Sequence, residues 1–316
     1  MNRQSGLGFA LLVSTAMGGL LGAACGGGTE ASVASTGREL RGRPMWSSQA
    51  SGTSTELNSV WGSDANNVWA VGEGGTIIKW DGLTWSPQTS GTSAWLTGVG
   101  GIDATHIWAV GERGTVLKWD GLPWLPHPIG TWNTLRSVWV NDASNVWAAG
   151  DDGMAIKWNG LAWAGPRSGT SNYLYGLWGS DANNVWGVGQ SGLILKWNGT
   201  AWSRQVNTNR RTLFGAWGSD TNSVWVVGDG GTILKWNGTT WGAERSGISN
   251  WLYGVWGSDA RNIWAVGDRG TILKWDGVTW SPQVSGVLNQ LNAVWGTDAN
   301  HVWAVGQNGT ILRYQP

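Results

Sequence analysis

The residue types that most often perform catalysis are sparse in this sequence and lie far apart. The three histidines, His106, His127 and His301, fall in three different copies of an internal repeat, and Cys25 is the only cysteine. A zinc site needs three or four converging ligands, and a cysteine hydrolase needs a histidine beside its thiolate. We therefore expect no catalytic residue, no metal site and no cofactor.

Aromatic residues form a more promising group. Three of the four tyrosines, and the only phenylalanine beyond the leader, stand at positions related by a 39-residue spacing. With one tryptophan, the group comprises Tyr173, Tyr175, Phe214, Trp251 and Tyr253. The polar residues expected nearby, on the same face, are Asp229, Asp268, Gln190 and Arg269. Such rings offer apolar area while polar groups orient a ligand, so these residues are the candidates for ligand binding. The alternative is that the rings only plug the centre of the fold and pack between its units.

A 39-residue repeat must position these side chains. Its first complete copy begins at Leu57, reads LNSVWGSDANNVWAVGEGGTIIKWDG, and recurs without insertion or deletion. The leading residues of the seven copies are Leu57, Leu96, Leu135, Leu174, Leu213, Leu252 and Leu291. A fixed period near 40 residues indicates a repeat architecture in which each unit packs on its neighbours.

Each copy predicts four short strands, because runs of β-branched and tryptophan residues alternate with turn sequences. In the first copy the strands are expected at 57–61, 68–72, 76–80 and 85–88. The intervening DANN, GEGG and DG segments carry the Asp, Asn and Gly residues that favour turns. Seven four-stranded units of this kind predict an all-β fold, a seven-bladed β-propeller.

The two ends of the chain predict how the ring closes. The last copy stops at Pro316, before a fourth strand. Upstream of the first copy, residues 45–56 match residues 84–95, and Trp46 lies 39 residues before Trp85. We expect this N-terminal strand to complete the last blade, which removes the exposed sheet edges of an open array.

Tryptophan is the residue that the repeat enriches most. Of the 29 tryptophans, 26 stand at four repeat positions, and we expect them to form the core between blades. The four positions are those of Trp61, Trp69, Trp80 and Trp85. In one copy Gly100 replaces the tryptophan, and we expect Trp95 or Trp132 to fill the space, the alternative being a pocket.

Two charged positions also recur. Aspartate stands at the Asp64 position in all seven copies, and the Lys79 position is lysine in six copies and arginine in the last. We expect the aspartate to form an Asx turn, and the lysine stem to lie over a tryptophan with its ammonium near that aspartate. A ring of metal sites is the alternative.

The repeat resembles the WD-repeat family in its VWGSD, VWAVG and GTIIKWDG segments, although it lacks the Gly-His dipeptide of that family. The DGLTW segment at 81–85 instead resembles the Asp-box of sialidase-type propellers. Over 46–316 the chain is most similar to tryptophan-rich β-propeller lipoproteins of environmental bacteria. These resemblances imply a propeller fold and no fixed activity.

The first 25 residues predict an export signal. Arg3 precedes an apolar run over 6–21, which is too short and too rich in Gly and Ser for a membrane span. The GAAC segment that follows resembles the lipobox of bacterial lipoproteins, although Gly22 replaces the usual leucine. The resemblance implies that Cys25 is lipidated and becomes the mature N-terminus. Plain cleavage after an alanine is the alternative.

The predicted domain order is a signal peptide over 1–25, a flexible tether rich in Gly, Ser and Thr over 26–44, and the propeller over 45–316. The expected location is the bacterial envelope, on its periplasmic or outer-surface side, with the lipid as the only membrane contact; without lipidation the protein would be secreted. Lys plus Arg and Asp plus Glu both number 20, so the basic surface needed for nucleic-acid binding is lacking. We expect a monomer with a protein or glycan ligand.

Three functions are compatible with this pattern. We favour a non-enzymatic binding or scaffold module that contacts a protein partner through the aromatic residues. A carbohydrate-binding lectin is the alternative, although lectin propellers usually repeat a sugar site in most blades and these aromatics occur in three. The third is a sialidase-like or other glycan-active enzyme, for which Arg204, Arg210, Arg211 and Arg245 form the only local concentration of arginine.

Overall fold

The computed structural model describes residues 45–315, which form seven antiparallel sheets of four strands each. We call these sheets blades 1 to 7 in the chain order of their first strands. The first strands are β2 (Leu57–Asp64), β6 (Leu96–Asp103), β10 (Leu135–Asp142), β14 (Leu174–Asp181), β18 (Leu213–Asp220), β22 (Leu252–Asp259) and β26 (Leu291–Asp298). The second strands are β3 (Asn67–Gly72), β7 (His106–Gly111), β11 (Asn145–Gly150), β15 (Asn184–Gly189), β19 (Ser223–Gly228), β23 (Asn262–Gly267) and β27 (His301–Gly306).

The outer half of each blade is shorter and less uniform. The third strands are β4 (Ile77–Trp80), β8 (Val116–Trp119), β12 (Ala155–Trp158), β16 (Ile194–Trp197), β20 (Thr232–Trp236), β24 (Ile272–Trp275) and β28 (Ile311–Gln315). The fourth strands are β5 (Trp85–Gln88), β9 (Leu125–Pro126), β13 (Trp163–Ala164), β17 (Trp202–Arg204), β21 (Trp241–Glu244), β25 (Trp280–Gln283) and, in blade 7, β1 (Met45–Gln49). A single 3₁₀ turn follows each second strand, at Glu73–Gly75, Glu112–Gly114, Asp151–Gly153, Gln190–Gly192, Asp229–Gly231, Asp268–Gly270 and Gln307–Gly309.

The predicted seven-bladed propeller is confirmed. The first strands of neighbouring blades lie side by side around the centre of the ring, including those of blades 7 and 1. In blade 1 the first strand begins beside the 3₁₀ turn, where Leu57 pairs with Gly72, and ends at the hairpin between Asp64 and Asn67. The first strands of the other blades begin and end at the equivalent positions. The ring therefore has a turn face, which carries the 3₁₀ turns and leading leucines, and a hairpin face opposite.

The predicted closure of the ring is also confirmed. β1 pairs antiparallel with β28, so that Trp46 faces Tyr314 across the ladder with ring centroids 5.4 Å apart. Blade 7 also contacts blade 1 at the centre, where Asn292 Nδ2 donates a hydrogen bond of 3.0 Å to the Leu57 carbonyl. The first and last strands of the propeller thus share one sheet, which leaves no gap in the ring.

Tryptophans fill the seams between blades, as predicted. The seven at the Trp69 position are the largest fully buried side chains, whereas those at the Trp61 position are only partly buried. Each of the latter lies across a glycine of the next blade; a Cβ on Gly101 would stand 2.7 Å from the Trp61 ring. Close approach of adjacent blades therefore requires glycine at that position.

The prediction that Trp95 or Trp132 fills the space left by Gly100 is wrong. Trp132 is 81% exposed and Trp95 is 47% exposed. The next blade instead carries Val140 where the other blades have the glycine that accepts a tryptophan, and Val140 packs against the core around Trp108. Loss of the indole is thus accompanied by a larger residue across the same seam.

The recurrent aspartates form the predicted Asx turns. Asp64 Oδ1 accepts a 2.8 Å hydrogen bond from the Asn66 backbone N–H. Burial would raise the pKa of the equivalent Asp103, but hydrogen bonds from Thr105 and His106 outweigh it and lower the pKa to about 2. These carboxylates stabilise tight turns on the hairpin face.

The recurrent lysines lie over tryptophan rings, as predicted. The Lys79 Nζ is 4.9 Å from the Trp69 ring centroid. The expected approach of the ammonium to the turn aspartate is wrong, because none of the ion pairs among residues 45–315 joins a lysine to an aspartate. A cation–π contact, which is worth about 0.5–2 kcal/mol, takes the place of that ion pair.

The predicted signal peptide, the lipidation of Cys25 and the tether over 26–44 lie outside the described residues. Within the part of the chain that the structure describes, no helix has the length and apolarity needed to cross a lipid bilayer.

Candidate functional site

The five predicted aromatic residues lie together on the turn face, at the start of the first strands of blades 4, 5 and 6. Tyr175, Phe214 and Tyr253 follow the leading leucines, and Tyr173 and Trp251 precede them. The leading leucines are fully buried. Because side chains alternate along a strand, the residues on either side of a buried leucine point away from the core. We call these five residues the aromatic sector.

The rings of the aromatic sector form one continuous chain of contacts across three blades. Tyr175 and Phe214 have ring centroids 5.3 Å apart, and Phe214 lies 5.2 Å from Tyr253. Trp251 lies 5.9 Å from Phe214, and Tyr173 extends the chain to 6.4 Å from Tyr175. The geometry is tilted or edge-to-face throughout, which is the favoured arrangement for aromatic pairs.

The aromatic sector is packed and accessible at once. Trp251 is 46% exposed, and the other four rings are half-buried. Contacts between rings of adjacent blades agree with the interpretation that they pack the blades together. Their remaining exposed area agrees with ligand contact. The surface they present is uneven, because neighbouring rings are inclined to one another.

Both predicted aspartates adjoin the sector. The Tyr253 hydroxyl donates a 3.0 Å hydrogen bond to Asp268 Oδ1. Burial raises the pKa of Tyr253, and so do this hydrogen bond and the negative charges of Asp268, Asp229 and Glu56. Asp229 Oδ2 accepts a 3.2 Å hydrogen bond from the Thr212 backbone N–H. Its Oδ1 is shielded from solvent and accepts no hydrogen bond from any residue between 45 and 315.

The other two predicted polar residues differ in role. Gln190 Oε1 accepts a 3.0 Å hydrogen bond from the Tyr173 backbone N–H, so this amide oxygen holds the sector in place. Arg269 is exposed at the tip of its 3₁₀ turn, with a left-handed φ of 54°. Gln190 is therefore a positioning residue, whereas Arg269 remains accessible beside Asp268.

Arg136 is a member of this site that sequence reasoning did not select. Its guanidinium carbon lies 5.3 Å from the Tyr173 ring centroid and 5.0 Å from that of Tyr175, and its Nε donates to Asp151 Oδ1. A signal was present, because Arg136 occupies the repeat position of Tyr175 one copy earlier. The stacked guanidinium extends the sector into blade 3.

In the other blades the residue after the leading leucine is polar, and Asn58, Thr97 and Asn292 each bond the backbone of the next blade. Asn58 Nδ2 donates a 2.9 Å hydrogen bond to the Leu96 carbonyl of the next blade. Between the blades that carry the aromatic sector, the backbones approach closely at glycine residues. A Cβ on Gly176 would stand 2.5 Å from the Phe214 carbonyl oxygen, which is too close for any other residue. Backbone contact thus frees the aromatic side chains from the bridging role that Asn58 performs.

The candidates for enzyme chemistry do not converge. Within residues 45–315 no group of three or more His, Cys, Asp or Glu side chains could hold a metal ion. His127 packs 5.1 Å from the Trp108 ring, and burial lowers its pKa. Arg204 and Arg210 line a groove of about 510 Å³ in blade 4. Arg211 and Arg245 do not line this groove, and neither does any tyrosine or carboxylate.

Comparison with known proteins supports the fold. A scan against protein-family models finds no match, and neither does a search of curated protein sequences. Among solved structures the chain is similar to YCF48 bound to a D1 peptide (TM-score 0.72, 19% identity, 86% of this chain and 97% of that chain). It is also similar to YCF48 from Cyanidioschyzon merolae (TM-score 0.71, 17% identity, 86% and 99%) and to the WD40 propeller domain of Doa1 (0.70, 14%, 85% and 97%). At these identities the likeness establishes the propeller fold.

Proposed function

We propose that this protein is a non-enzymatic binding or scaffold module that recognises a protein partner through the aromatic sector. The observation that carries the proposal is the continuous chain of five partly exposed rings across blades 4 to 6. Partly exposed aromatic side chains are enriched in protein interfaces, where a few of them contribute most of the binding energy.

Two further observations support a protein partner over a glycan. The aromatic group is confined to three adjacent blades, so the ring offers one extended site in place of a site repeated in each blade. YCF48, a propeller of the same fold, has been solved with a bound D1 peptide. An extended peptide could contact rings from more than one blade at once.

The test is an unbiased selection of displayed heptapeptides on the full chain, followed by affinity measurements on variants. We expect Trp251→Ala to weaken the selected peptides about 30-fold, because truncating a central interface tryptophan typically costs about 2 kcal/mol or more. Trp95→Ala is the matched control, since Trp95 occupies the same repeat position in blade 2 and is equally exposed. Its effect should stay within about twofold.

Two results would count against a protein partner. Equal losses in Trp251→Ala and Trp95→Ala would remove the aromatic sector from recognition. Failure to enrich any peptide, together with glycan-array signals that Trp251→Ala abolishes, would replace the scaffold proposal with a lectin.

We further propose that the protein is exported and held at the bacterial envelope by a lipid on Cys25. The support is the lipobox-like GAAC sequence and the use of the single cysteine at that position. We expect wild-type protein in the membrane fraction and Cys25→Ser protein in the soluble exported fraction. A Cys25→Ser variant that still sediments with membranes would contradict the anchor.

A further inference from the structure

An ion pair between Arg136 and Asp151 adjoins the blade 4 end of the aromatic sector, and the same arrangement recurs, incomplete, two blades further on. In the complete arrangement Arg136 stacks on Tyr173 and Tyr175 and donates to Asp151 Oδ1. Cation, rings and carboxylate all come from the protein. The cation is thus neutralised and its charge is partly withdrawn from solvent.

The recurrent positions two copies later preserve the carboxylate and the rings but lack the cation. Asp229 replaces Asp151, Trp251 and Tyr253 replace the two tyrosines, and Phe214 replaces Arg136. Asp229 Oδ1 is shielded from solvent and accepts no hydrogen bond from the described residues. A buried acceptor without a donor costs about 1–3 kcal/mol, so a rotation of the Asp229 carboxylate that presents Oδ1 to a ligand donor would recover part of that amount.

Further negative charge surrounds the same rings. Asp268 accepts the Tyr253 hydroxyl hydrogen bond, and the charges of Asp229, Asp268 and Glu56 all raise the pKa of Tyr253. Arg269 follows Asp268 in the chain, and the Arg211 guanidinium lies beside Gly230, the residue after Asp229. Both arginines are exposed, and within residues 45–315 neither forms an ion pair. The blade 6 end of the sector therefore joins aromatic faces to carboxylates that form no direct ion pair with an arginine or lysine among residues 45–315.

We infer that this end of the sector binds a cationic side chain, the ammonium of a lysine or the guanidinium of an arginine, placed against Trp251 and Tyr253 and hydrogen-bonded to Asp229. This ligand class rests on the proposed function, because the cation belongs to the bound peptide. Arg136 shows the same recognition within the protein. Aromatic rings attract cations through their negative faces, and a partly desolvated carboxylate strengthens the attraction.

Capped single amino acids test the charge preference without a known partner. N-acetyl-lysine methylamide, N-acetyl-arginine methylamide and the neutral N-acetyl-norleucine methylamide would be titrated against the full chain and followed by saturation-transfer NMR. We expect the two cationic probes to bind at least about fivefold more tightly than the norleucine probe, which corresponds to roughly 1 kcal/mol. Equal binding of all three probes would overturn the inference.

Variants locate the effect. Asp229→Asn keeps the side-chain shape and removes the charge, so the preference for cationic probes should fall to about twofold or less. Glu112→Gln is the matched control, because Glu112 occupies the same turn position in blade 2, away from the sector. If Asp229→Asn folds poorly, Asp268→Asn provides a second test of the preference for cationic probes. Loss of preference in Glu112→Gln as well would assign the effect to net charge and reject the site.

The outcome is separable from that of the proposed function. Peptides that bind through Trp251 without any preference for lysine or arginine would preserve the scaffold and remove the cation site. Peptide selection that fails while the capped cations still bind at Asp229 would preserve the cation site and remove the protein-partner proposal.

Discussion

Trp46→Ala is expected to lower the free energy of unfolding by about 3–5 kcal/mol, the usual cost of truncating a buried tryptophan. Trp46 is 8% exposed and packs on Tyr314 at 5.4 Å. It lies on β1, which pairs only with β28, so its side chain is a principal contact that holds the two chain ends in one blade. Because the loss falls on the closure itself, blade 7 should open before the remaining blades unfold.

Equilibrium denaturation of the full chain in guanidinium chloride measures this effect. Trp132→Ala is the control, since Trp132 is 81% exposed and its truncation should change stability by less than about 0.5 kcal/mol. Limited proteolysis should release the segment around β1 earlier in Trp46→Ala than in the wild type. Identical denaturation midpoints for the two variants would show that the Trp46 side chain does not stabilise the closure.

Gly100→Trp and Val140→Gly should each destabilise the protein alone and compensate each other when combined. In every other seam a tryptophan lies across a glycine of the next blade, as Trp139 lies across Gly179 at 2.6 Å from a Cβ position. Tryptophan at position 100 would meet Val140, and such overpacking costs about 1–3 kcal/mol. Val140→Gly alone would open a void beside the core around Trp108 and cost a similar amount.

The double variant rebuilds the arrangement of the other six seams, so we expect it to be more stable than either single variant by about 1 kcal/mol or more. Chemical denaturation of all four proteins gives the coupling energy. Gly218→Val is the control, because Trp178 is still present opposite it and a Cβ there would stand 2.6 Å from the indole. That variant should be destabilised like Gly100→Trp. Simple additivity of the two changes at 100 and 140 would show that they do not share a seam.

Much of the architecture was predictable because a propeller blade is a local structure. Each strand pairs with the next strand along the chain, so strand number, turn positions and blade number follow from the 39-residue spacing and the turn residues. The closing strand pairs with β28 at the other end of the chain, and it was predictable because residues 45–56 copy the repeat. The observed first strand of blade 1 begins at Leu57 as expected and ends at Asp64, three residues beyond the expected end at 61.

The site was predictable to a smaller extent. The positions beside the leading leucines could be selected because they vary while the blade-forming residues do not, and their 39-residue spacing places them on one face. The structure shows that all five rings lie in contact. It also adds Arg136 and assigns Gln190 to a backbone hydrogen bond.

The differences arise where neighbouring blades meet. The period specifies where each backbone segment lies, because it depends on pairing between residues close in the chain. It does not specify which side chain fills the seam at Gly100, or that Asp151 is paired while Asp229 Oδ1 has no donor among the described residues. Those outcomes depend on side-chain size and direction across a boundary between residues about 40 positions apart, and packing in three dimensions selects among arrangements that the same repeat allows.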